Sequence, residues 1–269
     1  MTAPPFVGLI TGWKKSPVDK GKPKNKAGWT WVPNVSDVDN LESLTLGAAM
    51  LTALGQPNPN VNMSPQAVPA GLPRNPGTHL EDHVRDWLIV ELPKIDTAGR
   101  TFDVRRNRLI TEFAQYRHLT ALDAMIQADP NLRVSVGRDY LIKPDVTVGL
   151  TGGWSVGGDP FLHAAVSCKW TIRSDRVQNI RHEFNQMIRH RRGRQPHLVT
   201  VTAEPFPTRL ASIARGTGEV DASYHIAFQE LATAVAASQN AGQQAAWNEV
   251  VGQGRLRDIN DLPGDLARW

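Results

Sequence analysis

The chain has 269 residues, with 30 Lys/Arg against 26 Asp/Glu, 41% hydrophobic and 21% charged residues, and a mean hydropathy of -0.34, all ordinary for a soluble globular protein. No apolar run approaches the ~18 residues of a membrane span, and MTAPPFVGLITGW lacks the charge–apolar–small order of a secretion signal. The one cysteine, Cys168, excludes an internal disulfide framework and a cysteine-cluster zinc site, and fits a reducing cytoplasm.

Residues 1–40 read as an irregular arm rich in Lys, Pro, Gly and Trp, with Trp13, Trp29 and Trp31 as anchors and Asp37 and Asp39 at its end. Lys14, Lys15, Lys20, Lys22, Lys24 and Lys26 make the arm basic, which suits polyphosphate or nucleic acid, or else a solvated tail. Apolar residues at helical spacing predict a helix over Leu41–Leu54, ended by Gly55. A Pro/Asn-rich loop follows from Gln56 to Pro76, and a loop of that length is usually functional or mobile. Thr78 with Glu81 reads as a capping box that opens a helix running to Leu92 and stopped by Pro93. Arg105–Ala128 reads as one long helix.

Tyr140–Val148 reads as a strand placed at an edge or bulged, because Pro144 lacks the ladder donor. A glycine-rich hairpin, Thr151–Gly158, leads into a strand over Phe161–Lys169. A turn through Arg173–Arg176 then opens a helix that carries Glu183 and runs to about Arg192, with Gly193 and Pro196 preventing its resumption. Further elements are a buried strand over His197–Ala203, a short helix over Pro207–Ala214 with its proline at the first position, a strand-like Val220–Phe228, and an Ala/Gln-rich helical end. The order predicts an α/β fold with a mixed central sheet flanked by helices, since strand–helix–strand crossovers form parallel pairs. The whole chain is expected to form a single domain with the basic arm appended.

Asp145 and Lys169 fall on adjacent strands joined by one hairpin, so both reach one sheet edge. An aspartate and a strand-end lysine in that relation suit metal-dependent phosphodiester hydrolysis. The carboxylate takes a magnesium ion, and the lysine orients water and offsets charge developing on phosphate. The usual form of the motif is Pro-Asp followed by Asp/Glu-x-Lys. Pro144-Asp145 is present, but Ser167 occupies the second acidic position, and Glu183 is the nearest replacement. Glu183 and Arg176 are seven residues apart and share a helix face. From Lys169 to Arg194 there are eight Lys/Arg and only two acids, Asp175 and Glu183. His118, His163, His182, His190 and His197 show no metal-ligand spacing and read as surface or satisfied residues.

The run SCKWTIRSDRVQNIRHE from Ser167 to Glu183, together with RNRLITEFAQYRHLTAL, DYLIKPDVTV, RRGRQPHLVTVTAEP and TRLASIARGTGEVD, resembles the NgoMIV-like type II restriction endonucleases. These enzymes belong to the PD-(D/E)xK nuclease superfamily and cut sites with a CCGG core. The resemblance is dense over residues 100–235 and thinner from 34 to 92. It implies that Asp145 and Glu183 bind metal, that Lys169 is the catalytic lysine, and that Cys168 lends its main-chain carbonyl. Glu81, in GTHLEDHVRDW, matches an additional active-site glutamate, so it serves as cap, site or both. Two magnesium ions per active site are implied.

Arg173, Asp175 and Arg176, with Ser174 between them, match the positions that read CCGG. Arginine pairs bidentately with guanine O6/N7 and aspartate accepts from cytosine N4, each good pair giving ~1–3 kcal/mol of discrimination. A local ion pair at a helix start is the plainer reading of Arg173 and Asp175. Arg209 and Asp37 match positions that favour an outer G·C pair, with Asp39 as an alternative to Asp37, which suggests GCCGGC cut to leave 5′ overhangs and 5′-phosphates. Arg74 stands where a glutamine that touches the minor groove is expected. A palindrome demands a dimer. The Asp145–Lys169 interval is shorter than in a close relative of that family and lacks a segment that helps assemble tetramers, so dimer and tetramer both stay open. Two other functions remain: a sequence-specific DNA-binding protein without catalysis, and a structure-specific repair nuclease, which would not need the Arg-x-Asp-Arg reader.

Overall fold

The computed structural model describes residues 2–17, 29–61, 72–129, 131–132, 134 and 140–268. The chain opens with α1 (Val7–Ile10) and a hairpin of β1 (Trp13–Pro17) and β2 (Trp29–Pro33), paired antiparallel. The arm expected to be irregular therefore carries regular structure at both ends. Trp13 is buried, and Lys15 lies over the Trp31 ring, 5.3 Å from its centroid. Lys20–Lys26 and residues 62–71 of the Pro/Asn-rich loop lie outside the described residues. α2 (Leu41–Ala53) follows, capped by the Asn40 side chain accepting from the Ser43 amide.

The centre of the molecule is a six-stranded sheet. β3 (Phe102–Arg106), β4 (Val146–Leu150) and β5 (Phe161–Lys169) pair antiparallel. β5, β6 (His197–Thr202), β7 (Ala222–His225) and β8 (Leu256–Asp258) pair parallel in that order. The switch follows from the connections. A short glycine-rich link returns β4 into β5, whereas α5 (Ser174–His190), α6 (Pro207–Ala214), and α7 (Phe228–Ala236) with α8 (Ala241–Gly252) bridge the later strands, as parallel pairing requires. The mixed sheet flanked by helices is the architecture expected.

β5 is buried from Leu162 to Cys168, as a central strand covered on both faces must be. Its alternation breaks once: the register with β4 shifts between Val148 and Gly149, leaving His163 as the extra residue. Ala164, Val166 and Cys168 consequently face one core, while Leu162 and Ala165 face the other. The first core receives Leu80, Val84, Leu88 and Leu92, spaced four apart on α3 (Pro76–Ile95), together with the C-terminal helices. The second receives Val177, Ile180, Phe184 and Met187 from α5, with residues of the 110–119 region and α4 (His118–Ala128).

Several expected boundaries differ. α3 begins at Pro76, whose missing amide costs nothing at the first helical position, with Asn75 as its N-cap. Thr78 is thus inside the helix and makes no capping box with Glu81. Pro93 also lies inside α3; the carbonyl its ring leaves free is that of Ile89, an exposed residue. The long helix expected over Arg105–Ala128 is instead β3, two 3-10 turns at Ile110–Glu112 and Ala114–Tyr116, and α4. Asn107, with φ at 55°, breaks the chain direction after β3. Pro144 precedes β4, so an interior strand loses no ladder donor. The helical end is divided into α7, α8 and α9 (Leu262–Arg268), with β8 between the last two. No described helix is long and apolar enough to cross a membrane.

His163 and the C-terminal helix define a testable pH dependence. Buried His163 donates from Nε2 to the Leu266 carbonyl at 2.7 Å. Burial above all holds its pKa down at about 4, with lesser contributions from His197 and Arg100. The folded state therefore keeps His163 neutral where the unfolded chain would protonate it. Its stabilising contribution is full above pH 6.5 and is lost as pH falls towards 4. The expected loss is roughly 3 kcal/mol across that window. Urea unfolding at pH 7 and pH 4.5 should show a shallower pH dependence for His163→Gln than for the wild type; equal slopes would contradict this assignment.

Candidate active site

The site forms at the sheet edge where β4 begins and β5, antiparallel to it, ends. Val146 pairs with Val166, which puts Asp145 beside the end of β5. Three donors from consecutive β5 residues converge on Asp145 Oδ2: Ser167 Oγ at 3.3 Å, the Cys168 amide at 2.8 Å and Lys169 Nζ at 2.6 Å. Among the described residues, no hydrogen bond reaches Oδ1. Ser167 is a physical surprise only against the usual motif. A carboxylate there would repel Asp145 across the strand pair, whereas the buried hydroxyl donates to it.

Glu183 and Glu81 complete the charge pattern from opposite faces of the sheet. Glu183 lies three turns along α5, half-buried, and burial raises its carboxyl, with Lys169 opposing and the Asp145 charge adding to the rise. Glu81 projects from the second turn of α3. Its carboxyl is also raised, chiefly by burial and further by Asp145, although Arg106 and Lys169 oppose the shift. Each glutamate therefore feels both Asp145 and Lys169, and the four groups share one electrostatic neighbourhood.

Arg106 was not legible in the sequence. It ends β3, bonds Glu81 through Nη2 and reaches Asp82 through Nη1 at 2.6 Å. The next residue, Asn107, donates its amide to the Asp145 carbonyl at 3.4 Å. Arg106 was hidden because its segment reads as helix, where its side chain would not meet α3. It supplies the partner that the supposed capping box supplied for Glu81.

The base-reading candidates stand just beyond Lys169. Arg173 is the N-cap of α5 and is exposed, as are Ser174 and Asp175 in its first turn. Arg176 is half-buried and folds back onto Thr171, donating from Nη1 to its carbonyl at 2.8 Å and its hydroxyl at 3.1 Å. It therefore braces the turn in this state. Arg209, on α6, pairs through Nη2 with Asp37 Oδ2 at 2.6 Å. Asp37 is held below the usual carboxylate range, first by that bond and next by the Asp39 amide.

Two grooves of about 450 and 650 Å³ share Asp37, Arg173 and Arg209 in their walls. Lys14, Asp39 and Arg74 line the first; Ser174 and Asp175 line the second. The structure thus brings Arg173, Arg209 and Asp37 onto one surface, while Arg176 is turned away from it.

Among the described residues, no three His, Cys, Asp or Glu side chains are gathered as a closed metal cluster. The donor chemistry nevertheless fits a hard divalent cation. Such an ion needs one or two carboxylates and retains water for the other positions. Asp145 offers Oδ1, and the two glutamates with raised carboxyls lie within reach of its charge.

The NgoMIV restriction enzyme family model matches residues 75–151 and 154–268. The type II restriction enzyme NgoMIV of Neisseria gonorrhoeae is 42% identical over 186 residues, covering 60% of this chain and 65% of that relative. The matched region contains β3 through α9, and with them every strand of the central sheet. The chain belongs to the NgoMIV restriction enzyme family.

Proposed function

We propose that this protein is a type II restriction endonuclease. It makes magnesium-dependent double-strand cuts in DNA at a palindromic CCGG-core hexamer, GCCGGC, leaving 5′ overhangs and 5′-phosphates. The observation that carries this reading is the Asp145–Lys169 pair at 2.6 Å, four residues ahead of the exposed Arg173. The family match supports the class of enzyme, and the Neisseria gonorrhoeae relative is itself a type II restriction enzyme. The chain is expected to act as one domain in the cytoplasm of a prokaryotic cell, paired about a two-fold axis as a palindrome demands. Pairing of dimers into a tetramer is compatible with this arrangement.

Asp145, Glu183 and the Cys168 main-chain carbonyl would hold the metal, with up to two ions per site. When bound, magnesium supplies Lewis acidity to the scissile phosphate and a more acidic water. Lys169 orients the attacking water and stabilises charge that grows on the phosphate oxygens. The Cys168 amide and Ser167 hydroxyl keep Asp145 aimed from behind. Glu81, steadied by Arg106, adds negative charge beside the same centre. Cys168 itself contributes no thiolate, because burial raises its thiol well above the ordinary range.

Arg173 and Asp175 read the inner guanine and cytosine, joined by Ser174 and by Arg176 once it leaves Thr171. Arg209 and Asp37 read the outer pair. Sequencing the ends of plasmid DNA cut in magnesium buffer tests the proposal in one step. Uniform ends within GCCGGC are expected; random nicking, or no cutting, would sink it. Arg173→Ala should lower cleavage of the cognate site by roughly 5–150-fold, the span of one lost bidentate base contact. The same change should narrow the gap between CCGG and sites altered in its inner pairs.

A further inference from the structure

Glu204 lies two residues past β6 and is completely buried. A carboxylate in that position is costly unless several donors hold it. Its Oε2 accepts from the Ile172 amide at 2.8 Å, and its Oε1 from the Phe206 amide at 3.2 Å. Arg209 Nη1 stands 3.7 Å from Oε2. The main chain of Glu204 is fixed as well: its amide donates to Thr202 Oγ1 at 3.1 Å, and its carbonyl lies 3.2 Å from His225 Nε2.

These contacts join two places that the sequence keeps far apart. Ile172 immediately precedes Arg173, so the bond to its amide sets where the first turn of α5 begins. Arg209 faces the second groove from α6. Either task alone could be met by a neutral acceptor, such as a main-chain carbonyl. Only a carboxylate can accept from Ile172 and also oppose the charge of Arg209.

The need for that charge becomes clear from Asp37. In the DNA-free protein the Arg209 guanidinium is neutralised in front by Asp37 and approached from behind by Glu204. Reading an outer base pair requires Asp37 and Arg209 to part. Among the described residues, Glu204 is then the remaining carboxylate in contact with Arg209. We propose that Glu204 is a positioning residue for base recognition, fixing the Arg173 turn and the Arg209 guanidinium from behind so that inner and outer readers keep one spacing. Burial pushes the Glu204 carboxyl up to about 7, and the Ile172 amide, Arg209 and the Phe206 amide are the partners that favour its charged form against burial and the Asp37 charge.

This inference rests on the proposed reading of a CCGG-core hexamer and deepens it. The test uses the full-length protein and a set of duplexes that hold CCGG constant while varying the outer base pair. Glu204→Gln keeps the side-chain shape and one acceptor but removes the charge. It should lower the preference for the cognate outer pair about tenfold or more, through Arg209 no longer held in place. In an Arg209→Ala background the same substitution should leave outer-pair preference where Arg209→Ala alone puts it, which a merely structural role would not produce.

A folded Glu204→Gln enzyme with wild-type outer-pair preference overturns the inference and leaves the restriction reading standing. A wild-type protein that cuts none of the duplexes overturns both. If the glutamine variant fails to fold, Glu204→Asp carries the same comparison, because it keeps the charge and withdraws it by one methylene. Unchanged preference there overturns the inference equally.

Discussion

Lys169→Ala is expected to leave DNA binding near wild type while slowing cleavage on the order of 10³-fold, the scale of losing one aligned electrostatic stabiliser. The separation follows from where the ammonium sits. Lys169 Nζ is 2.6 Å from Asp145 Oδ2, at the end of β5, whereas the side chains proposed to read bases begin four residues later, at Arg173. Asp145 retains the Cys168 amide and Ser167 hydroxyl when Lys169 is truncated. Binding by gel shift in calcium buffer, compared with single-turnover cutting in magnesium, would measure the two effects independently. Loss of site binding equal to the loss of cutting would show that Lys169 organises the reader rather than the chemistry.

Phe184→Ala is expected to have the largest effect on stability, about 3–5 kcal/mol, through lost burial and the cavity left behind. Phe184 is 1% exposed and packs α5 against the second core together with Ile180 and Met187. It directly follows Glu183, so the same helix turn carries a candidate metal ligand outward and an anchor inward. Chemical denaturation would give the stability loss. Cutting measured at low temperature, where the variant is still folded, should fall far less than for Lys169→Ala. If cutting falls as far while the variant remains folded, α5 packing is setting the position of Glu183 directly.

What the sequence disclosed depended on how strongly each segment was punctuated. Phe161–Lys169 and Pro207–Ala214 were legible to the residue because each has a chemical boundary: apolar residues ending on a lysine, and a proline at the first helical position. β3 was hidden for the opposite reason. Its five residues hold three charges, and Leu109 and Phe113 downstream continue a spacing that imitates a helix. The supposed capping box misled because Thr78-x-x-Glu81 is a local pattern, while the helix start was set two residues earlier by Asn75-Pro76. Asp145 and Lys169 could be placed together from strand order alone. Arg106 and Glu204 could not, because the segment of Arg106 reads as helix and Glu204 reaches Ile172 across a parallel crossover that strand order alone does not register.

If Asp37 and Arg209 read the outer base pair as proposed, their ion pair also bears on the host that would carry the enzyme. In the free protein Arg209 donates to Asp37 at 2.6 Å, so each group already holds a charged partner. The correct outer pair exchanges one set of partners for another at little net cost. A wrong pair must pull the two apart and return nothing, leaving a carboxylate and a guanidinium unsatisfied against DNA. Off-target sequences would thereby be rejected by the protein's preference for its own ion pair, with most effect at near-miss sites, which far outnumber the true one in any genome. A nuclease lethal to its own cell when mistaken gains most from a reader that closes on itself whenever the fit is imperfect.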